Sequence, residues 1–305
     1  MSSLWNEVGN EIDSLFSRKA AIENFEIGQQ TTYRTRAKCS LYVEVSNEAE
    51  LQSVVSVNKK TNKEIVIIGN GSNLLIADTG FDGLVVRLGK GFEEIEINDT
   101  QVKAGAAVKL PVLARKTASV GLAGFEWAVG VPGTIGGAVK MNAGGHGSDM
   151  CESVQSAEVV DLVNGKKISL SADDLEFVYR TSSIESHQIV VNVVLVLGKG
   201  VPGVSNEKIK EIVRWRLENQ PGGQNAGSVF KNPEKKSAGE LIEETGSKGF
   251  RVGTAAISQK HANFIQVDHD GRATDVYLLM KEIQRRVSEE FGIKLQIETQ
   301  LIGFD

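Results

Sequence analysis

Val129-Gly-Val-Pro-Gly-Thr-Ile-Gly-Gly-Ala-Val-Lys-Met-Asn-Ala-Gly-Gly-His-Gly147 is dense in glycine, holds one lysine and contains no acid. Without Cβ atoms in the way, successive N–H groups of such a segment can turn inward and hold an anion such as a diphosphate. Upstream lies a second stretch of the same character, Ile67-Ile-Gly-Asn-Gly-Ser-Asn-Leu-Leu-Ile76, in which an apolar run breaks into Gly, Asn and Ser and then resumes. Ser72, Asn73, Thr134 and Asn142 add side-chain donors, and two phosphate-scale loops imply a large cofactor. The alternative is that these glycines only make turns. Neither stretch fits a common nucleotide signature. The first Gly-x-Gly lacks the third glycine of the dinucleotide fingerprint, and no Gly-x-x-x-x-Gly-Lys-Ser/Thr run occurs, so Rossmann and P-loop readings are poor.

The 305 residues suit two or three modest domains, and 41% hydrophobic residues suffice for packed cores. A net charge of −5 with interspersed signs offers no basic stripe for nucleic acid and no polybasic membrane patch, so the expected partner is a small molecule. Residues 1–16 carry Glu7, Glu11 and Asp13 and no apolar signal core, and the run 189–197 is interrupted by Asn192 and too short to span a bilayer. A cytoplasmic monomer is expected. Cys39 and Cys151 form no Cys-x-x-Cys pair and the four histidines show no zinc spacing, so neither a metal site nor a disulfide is expected.

Leu4, Val8, Ile12, Leu15 and Phe16 recur at helical spacing and predict an opening amphipathic helix. An α/β texture follows: a strand over 41–45, a helix capped by Asn47 and running to 60, and a strand over 64–68 that delivers the first glycine loop. Further strands are expected over 84–88, 93–97 and 102–104, and a helix over 109–119 that Gly121 closes. After the long glycine segment, runs 157–163 and 166–170 flank Asn164-Gly165, a two-residue hairpin signal. An acidic helix is expected over 173–177 and a charged helix over 205–219, before the turn Gln220-Pro-Gly-Gly223, read as a hinge. Beyond it come a Ser237–Glu240 capping box, a helix that Gly246 ends, a strand over 263–267, a helix over 274–291 closed by Gly292, and a last strand over 295–302.

Single residues leave alternatives open. Ser228 in Gly227-Ser-Val-Phe-Lys-Asn-Pro233 can be a reactive hydroxyl or a turn residue; its flanks are not a nucleophile elbow and no histidine stands in triad order. Arg180, after Tyr179, can grip a carboxylate or pair with Asp173 or Asp174 at the surface. Alternation in the last strand sets Leu295, Ile297, Thr299 and Leu301 on one face and Gln296, Glu298 and Gln300 on the other, where Glu298 is functional or merely solvated. Lys231, Lys248 and Arg251 add positive charge suited to a second diphosphate or simply to solubility.

Together, Gly69-Asn-Gly-Ser-Asn73, Pro132-Gly-Thr-Ile-Gly-Gly137, Met141-Asn-Ala-Gly144, Tyr179-Arg180, Gly227-Ser-Val-Phe-Lys-Asn-Pro233, Lys260-His-Ala-Asn-Phe-Ile265, Glu298 and Leu301-Ile-Gly303 resemble the UDP-N-acetylenolpyruvoylglucosamine reductase (MurB) family, in order as well as in parts. The likeness covers about 31–303. It implies an α+β protein with an FAD-binding domain of the p-cresol methylhydroxylase type over 1–205, in two lobes (about 20–86 and 87–205), and an α+β substrate domain over 206–305. It implies noncovalent FAD, NADPH as hydride donor, and reduction of UDP-N-acetylglucosamine enolpyruvate to UDP-N-acetylmuramate in peptidoglycan precursor synthesis. Arg180, Ser228 and Glu298 align with the family's catalytic residues, Ser228 with its proton donor. The implied flavin contacts are Gly69, Asn70, Gly71, Ser72, Asn73, Pro132, Gly133, Thr134, Gly136, Gly137, Asn142, Gly144 and Gly147; the implied substrate contacts are Tyr179, Lys231, Asn232, Lys248 and Arg251.

These residue types suit the reaction. Hydride delivery to the terminal enol-ether carbon builds negative charge on the neighbouring carbon and its carboxylate, which positive charge and donors stabilise. Arg180 supplies charge, Glu298 can donate only if burial keeps it protonated, and a carbanion or enolate is basic enough to take a serine proton. Departures from the family pattern are Arg36-Ala37 in place of Gly-Gly and Ile297 in place of a proline before the glutamate. Ser228 follows Arg180 by only 48 positions, which matches the shorter, second-type branch. Two competing readings are another FAD oxidoreductase of the same fold acting on an alcohol, and a non-catalytic sugar-nucleotide sensor. The absence of a His or Cys placed for covalent flavin attachment disfavours the first, and the presence of all three candidate catalytic residues disfavours the second.

Overall fold

The computed structural model describes residues 2–61, 63–201 and 203–304. The α+β chain forms two compact units: residues 1–25, 40–70 and 82–214 make the first, and 26–39, 71–81 and 215–305 the second. The helix Val204–Asn219 runs through the division at 214/215.

The first unit begins with the amphipathic helix Ser2–Phe16, whose Trp5, Val8, Ile12 and Phe16 are buried as their spacing predicts. A sheet ordered Ala21–Phe25, Cys39–Val45, Phe81–Leu88, Ile65–Ile68 follows, its last two strands parallel. The crossover helix Glu48–Thr61 starts where Asn47 Oδ1 accepts from Glu50 N at 2.9 Å. Five antiparallel strands, ordered Lys167–Ser171, Val154–Asp161, Gln188–Val196, Gln101–Gly105, Ile95–Asn98, form the unit's second sheet.

This second sheet serves two cores. Ala157, Val159, Val190, Val193 and Leu195 pack with the helix Leu110–Ser119 and with Trp127 and Ile135, whereas Val160, Leu162, Ile189 and Val191 pack with the first sheet's Leu41, Val43, Leu84 and Val86. A bulge makes both possible: Glu158 pairs with Asn192 and Val159 with Val190, leaving Val191 as the extra residue. The carbonyl of Val191 accepts instead from Ala106 N at 3.0 Å.

The second unit packs the helices Ala238–Glu244 and Ala273–Phe291 on a sheet of Arg251–Val252, Ala255–Ile257 and Ile265–Val267. Val276, Leu279, Met280, Ile283 and Val287 form the buried stripe of the long helix, and Gly292 closes it in the left-handed region. Its start has a distant cap: the Asp78 carboxylate accepts from Ala273 N and Thr274 N, both at 2.9 Å. The Ser237–Glu240 capping box forms as expected. Leu74–Ile76 pairs in parallel with Gln300–Ile302.

Three local expectations are corrected. The hairpin at Asn164-Gly165 has a wider loop than two residues, because pairing stops at Val160 and Lys167 and the Asp161 carboxylate turns the chain by accepting from Val163 N and Asn164 N. Residues 173–177 form turns rather than a helix. Asp174 there accepts from Ser171 N and Oγ, and Glu176 takes a φ of +43°. Only Gln300–Ile302 of the stretch 295–302 is a regular strand; Leu295 and Thr299 are buried and Gln296 exposed as alternation predicts, but Ile297 and Glu298 are alike half-buried.

Candidate functional site

In the first unit the parallel strand Ile65–Ile68 ends at Gly69 and Asn70, and these meet the long glycine segment. Asn70 Nδ2 donates to Pro132 O at 2.8 Å, and a Cβ on Gly69 would fall 2.6 Å from Thr134 Oγ1. A side chain at position 69 would therefore push the two loops apart. Thr134 caps the short helix Ile135–Met141, its hydroxyl accepting from Gly137 N at 3.5 Å, and Gly136 lies so close to Ala106 that an added Cβ would sit 2.9 Å from the Ala106 Cβ. Asn142 ends the helix at a φ of +39°; its amide donates to Asp149 Oδ2 and Val178 O and accepts from Cys151 N. Asn142 thus frames the loop with its side chain.

Beyond it Gly144–Gly145 pairs with Ser148–Asp149 through a turn at His146 and Gly147, both at positive φ. A Cβ added to Gly145 or Gly147 would meet nothing within 4 Å. The loops thus join bare backbone, the hydroxyl of Thr134 and the Asn70 amide beside open space at Gly145 and Gly147, with the neighbouring Asp149 carboxylate turned to the Asn142 amide. That donor set fits the diphosphate and polar chain of a flavin dinucleotide.

Gly71 and Ser72 continue the first loop in the second unit. Gly71 has a φ of +63° and would bring a Cβ to 2.2 Å from Gln30 O. Its carbonyl accepts from Thr32 N at 3.0 Å. Only glycine fits there.

Tyr179 and Arg180 form the tip of a tight turn in the first unit. Val178 and Thr181 exchange both main-chain hydrogen bonds at 3.1 Å across it. Arg180 adopts a φ of +59°, a conformation that costs a non-glycine residue about 1–2 kcal/mol and that collects at functional sites. Its Nη2 donates to Gly144 O at 3.0 Å and its guanidinium lies 5.0 Å from the Tyr179 ring centroid. The arginine is thereby fastened to the glycine segment.

In the second unit Ser228 and Glu298 ride on neighbouring extended segments. Glu298 N donates to Val229 O at 2.7 Å and Lys231 N to Gln296 O at 2.9 Å, while Phe230 bridges Ile297. On the other side of the Ser228 segment, Val229 N donates to Asn263 O at 2.9 Å and Ser228 bridges Phe264. Val229 and Phe230 are fully buried, whereas Ser228 and Glu298 are half-buried. The far edge is Asn73: its Nδ2 donates to Glu298 O at 3.1 Å and its carbonyl accepts from Gln300 N at 2.9 Å. A residue expected on the flavin thus also holds the glutamate's main chain.

The remaining candidates lie in the same unit. Asn232 Oδ1 accepts from Ala238 N at 3.0 Å, Lys248 pairs with Glu243 at 2.7 Å, and exposed Arg251 pairs with Asp268 at 2.5 Å. Sequence reasoning passed over Glu126, which is buried at the start of the turn Glu126–Gly130 leading into the glycine segment. Burial pushes its carboxyl up, yet Ser205 Oγ at 2.6 Å, main-chain amides including Gly124 N at 3.0 Å, and Lys208 at 3.6 Å together hold it below the usual carboxylate range. Glu126 stands alone among glycine and apolar residues in sequence, and its partners are distant, Ser205 by 79 positions and Lys208 by slightly more, so no local signal marks it.

Residues 39–171 match the family model of an FAD binding domain, and 219–302 match that described as UDP-N-acetylenolpyruvoylglucosamine reductase, C-terminal domain. The UDP-N-acetylenolpyruvoylglucosamine reductase of Desulforamulus reducens is 38% identical over 306 residues, covering 99% of this chain and 100% of that protein. The same enzyme of Anoxybacillus flavithermus is 37% identical, covering 92% and 94%. Among solved structures, the UDP-N-acetylenolpyruvylglucosamine reductase (MurB) of Thermus caldophilus is similar with a TM-score of 0.79 at 34% identity, over 92% of this chain and 98% of that one.

Proposed function

The chain belongs to the UDP-N-acetylenolpyruvoylglucosamine reductase family, and on that premise we propose that Arg180, Ser228 and Glu298 carry its chemistry. It is an FAD-dependent oxidoreductase, a UDP-N-acetylmuramate dehydrogenase that reduces UDP-N-acetylglucosamine enolpyruvate with NADPH in peptidoglycan precursor synthesis. When bound, the flavin supplies a two-electron relay between NADPH and the sugar nucleotide. Gly69, Asn70, Gly71, Ser72, the 132–137 segment, Gly144 and Gly147 would hold it, with Asn73 and Asn142 framing the loops.

The observation that carries the catalytic reading is the 2.7 Å hydrogen bond from Glu298 N to Val229 O, which sets the glutamate-bearing and serine-bearing segments side by side. As the terminal enol-ether carbon gains hydride, charge builds on the adjacent carbon and carboxylate. Ser228 then gives its proton to that carbon, Glu298 in its acid form donates to the carboxylate, and Arg180 offsets the charge. Tyr179, Lys231, Asn232, Lys248 and Arg251 are assigned to the nucleotide. Residues 1–205 are read as the flavin domain and 206–305 as the substrate domain of a cytoplasmic monomer. Among the described residues no helix is long and apolar enough to cross a membrane.

The test is the absorbance spectrum of the purified protein. Flavin bands should be bleached by NADPH and restored by the enolpyruvyl sugar nucleotide, and acid or heat should release the flavin into the supernatant. Bleaching by an alcohol, or no reoxidation by the sugar nucleotide, would overturn the assignment.

A further inference from the structure

Asn263 lies in the Lys260-His-Ala-Asn-Phe-Ile265 stretch and is 3% exposed. Its side chain does what a neighbouring strand's main chain would do. Oδ1 accepts from Phe230 N at 3.0 Å and Nδ2 donates to Phe230 O at 2.9 Å. Its own carbonyl accepts from Val229 N at 2.9 Å. Three of the four main-chain polar groups of the two residues after Ser228 therefore end on Asn263, and the fourth, Val229 O, accepts from Glu298 N. The substitution of side chain for main chain has a local reason. Phe264 N turns back to His261 O at 3.1 Å and Asn263 N to His261 Nδ1 at 3.2 Å, so main-chain pairing with the Ser228 segment ends at the Asn263 carbonyl, and the amide extends it past that point.

We propose that Asn263 is a positioning residue for Ser228: it fixes the extended path of Val229 and Phe230 and so the place from which the serine hydroxyl donates. This rests on the reading of Ser228 as the proton donor. The amide is not replaceable by an apolar side chain of similar size, because Phe230 N–H and C=O would be left buried without partners. A shift of about 1 Å in a reacting group can cost about 10²-fold in rate.

The experiment uses the full-length holoenzyme carrying Asn263→Ala, Asn263→Asp, Ser228→Ala, or Ser228→Ala with Asn263→Ala, and follows both half-reactions by stopped flow. Asn263→Ala should keep its flavin and its reduction by NADPH close to wild type, while reoxidation by the enolpyruvyl sugar nucleotide slows about 10²-fold. Asn263→Asp, which keeps the shape and the acceptor for Phe230 N, should retain more of that rate than Ala. Because Asn263 acts through Ser228, the double variant should be scarcely slower than Ser228→Ala alone. Equal slowing of both half-reactions, or losses that multiply in the double variant, would overturn the proposal. If Asn263→Ala does not fold, Asn263→Asp decides: its loss must be confined to the substrate half-reaction and vanish in the Ser228→Ala background. Wild-type reoxidation by Ser228→Ala would instead remove the premise, a separate result from a failure of Asn263 alone.

Discussion

In the first unit, the loops assigned to the flavin are shaped by what is missing. Gly69 and Gly136 lie where an added Cβ would collide with Thr134 and Ala106. In the second unit, Ser228 and Glu298 are shaped by what is added. Asn263 and Asn73, from opposite sides, fasten the main chain beside each catalytic candidate. Backbone that must approach an anion closely needs small residues, whereas a proton donor that must sit within tenths of an ångström needs hydrogen bonds around it. The first arrangement is read from composition, and the second only from partners.

The largest expected effect breaks this comparison on the proton-donor side. Ser228→Ala should bind FAD and accept hydride from NADPH normally while reoxidation by substrate slows by about 10² to 10⁴. Stopped-flow traces of each half-reaction separate the steps, and equal slowing of both would assign the serine to flavin geometry instead.

Glu298 sharpens the same side. Removal of one preorganised donor costs about 10² to 10³ in rate, which sets the expectation for Glu298→Ala in the substrate half-reaction. If the glutamate works as a neutral donor, Glu298→Gln keeps more rate than Ala and weakens the decline of rate at high pH. Glu298→Asp keeps the acid and withdraws it by one methylene. Rates across pH for all three variants decide the point; Gln as impaired as Ala would mean an ionised group that orients a neighbour.

Two glycines separate crowding from backbone conformation. Gly71 and Gly147 both have positive φ, but an added Cβ at 71 strikes Gln30 O at 2.2 Å and at 147 meets nothing within 4 Å. Gly147→Ala should cost about 1–2 kcal/mol, the left-handed penalty alone. Gly71→Ala should cost more than about 3 kcal/mol and lower flavin occupancy. Denaturant unfolding and flavin content measured together check the pair, and equal losses would show that contact at Gly71 is not what the loop depends on.

The smallest effect concerns Glu126. Its carboxyl is held below the ordinary value of 4.5, so the stabilisation is fully present above that pH and is lost as pH falls through the folded-state pKa. Thermal unfolding of wild type and Glu126→Gln should differ at neutral pH and converge on acidification. A difference that grows as pH falls would reverse the sign.

Local chemistry was legible. The Asn47 cap, the Ser237–Glu240 box and the Gly292 terminus join groups within one helical turn, so their spacing in sequence is their spacing in space. The failures share the opposite property. Residues 173–177 read as a helix from composition, but the Ser171–Asp174 bonds favour turns. The stretch 295–302 alternates like one strand, yet it pairs first with 229–231 and then with Leu74–Ile76, and no periodicity records a change of partner.

The sequence by itself marked the glycine-rich segments and, through the family resemblance, made Ser228, Arg180 and Glu298 candidates, because residue type and local spacing are properties of the chain. Only the tertiary structure decided that Asp78 caps a helix 195 positions away, that Asn73 holds Glu298 across 225, and that Asn263 stands in for a strand beside Ser228. An asparagine or aspartate can bond to many main-chain groups, and which one it meets is fixed when loops close and cores pack, after local preferences have been satisfied.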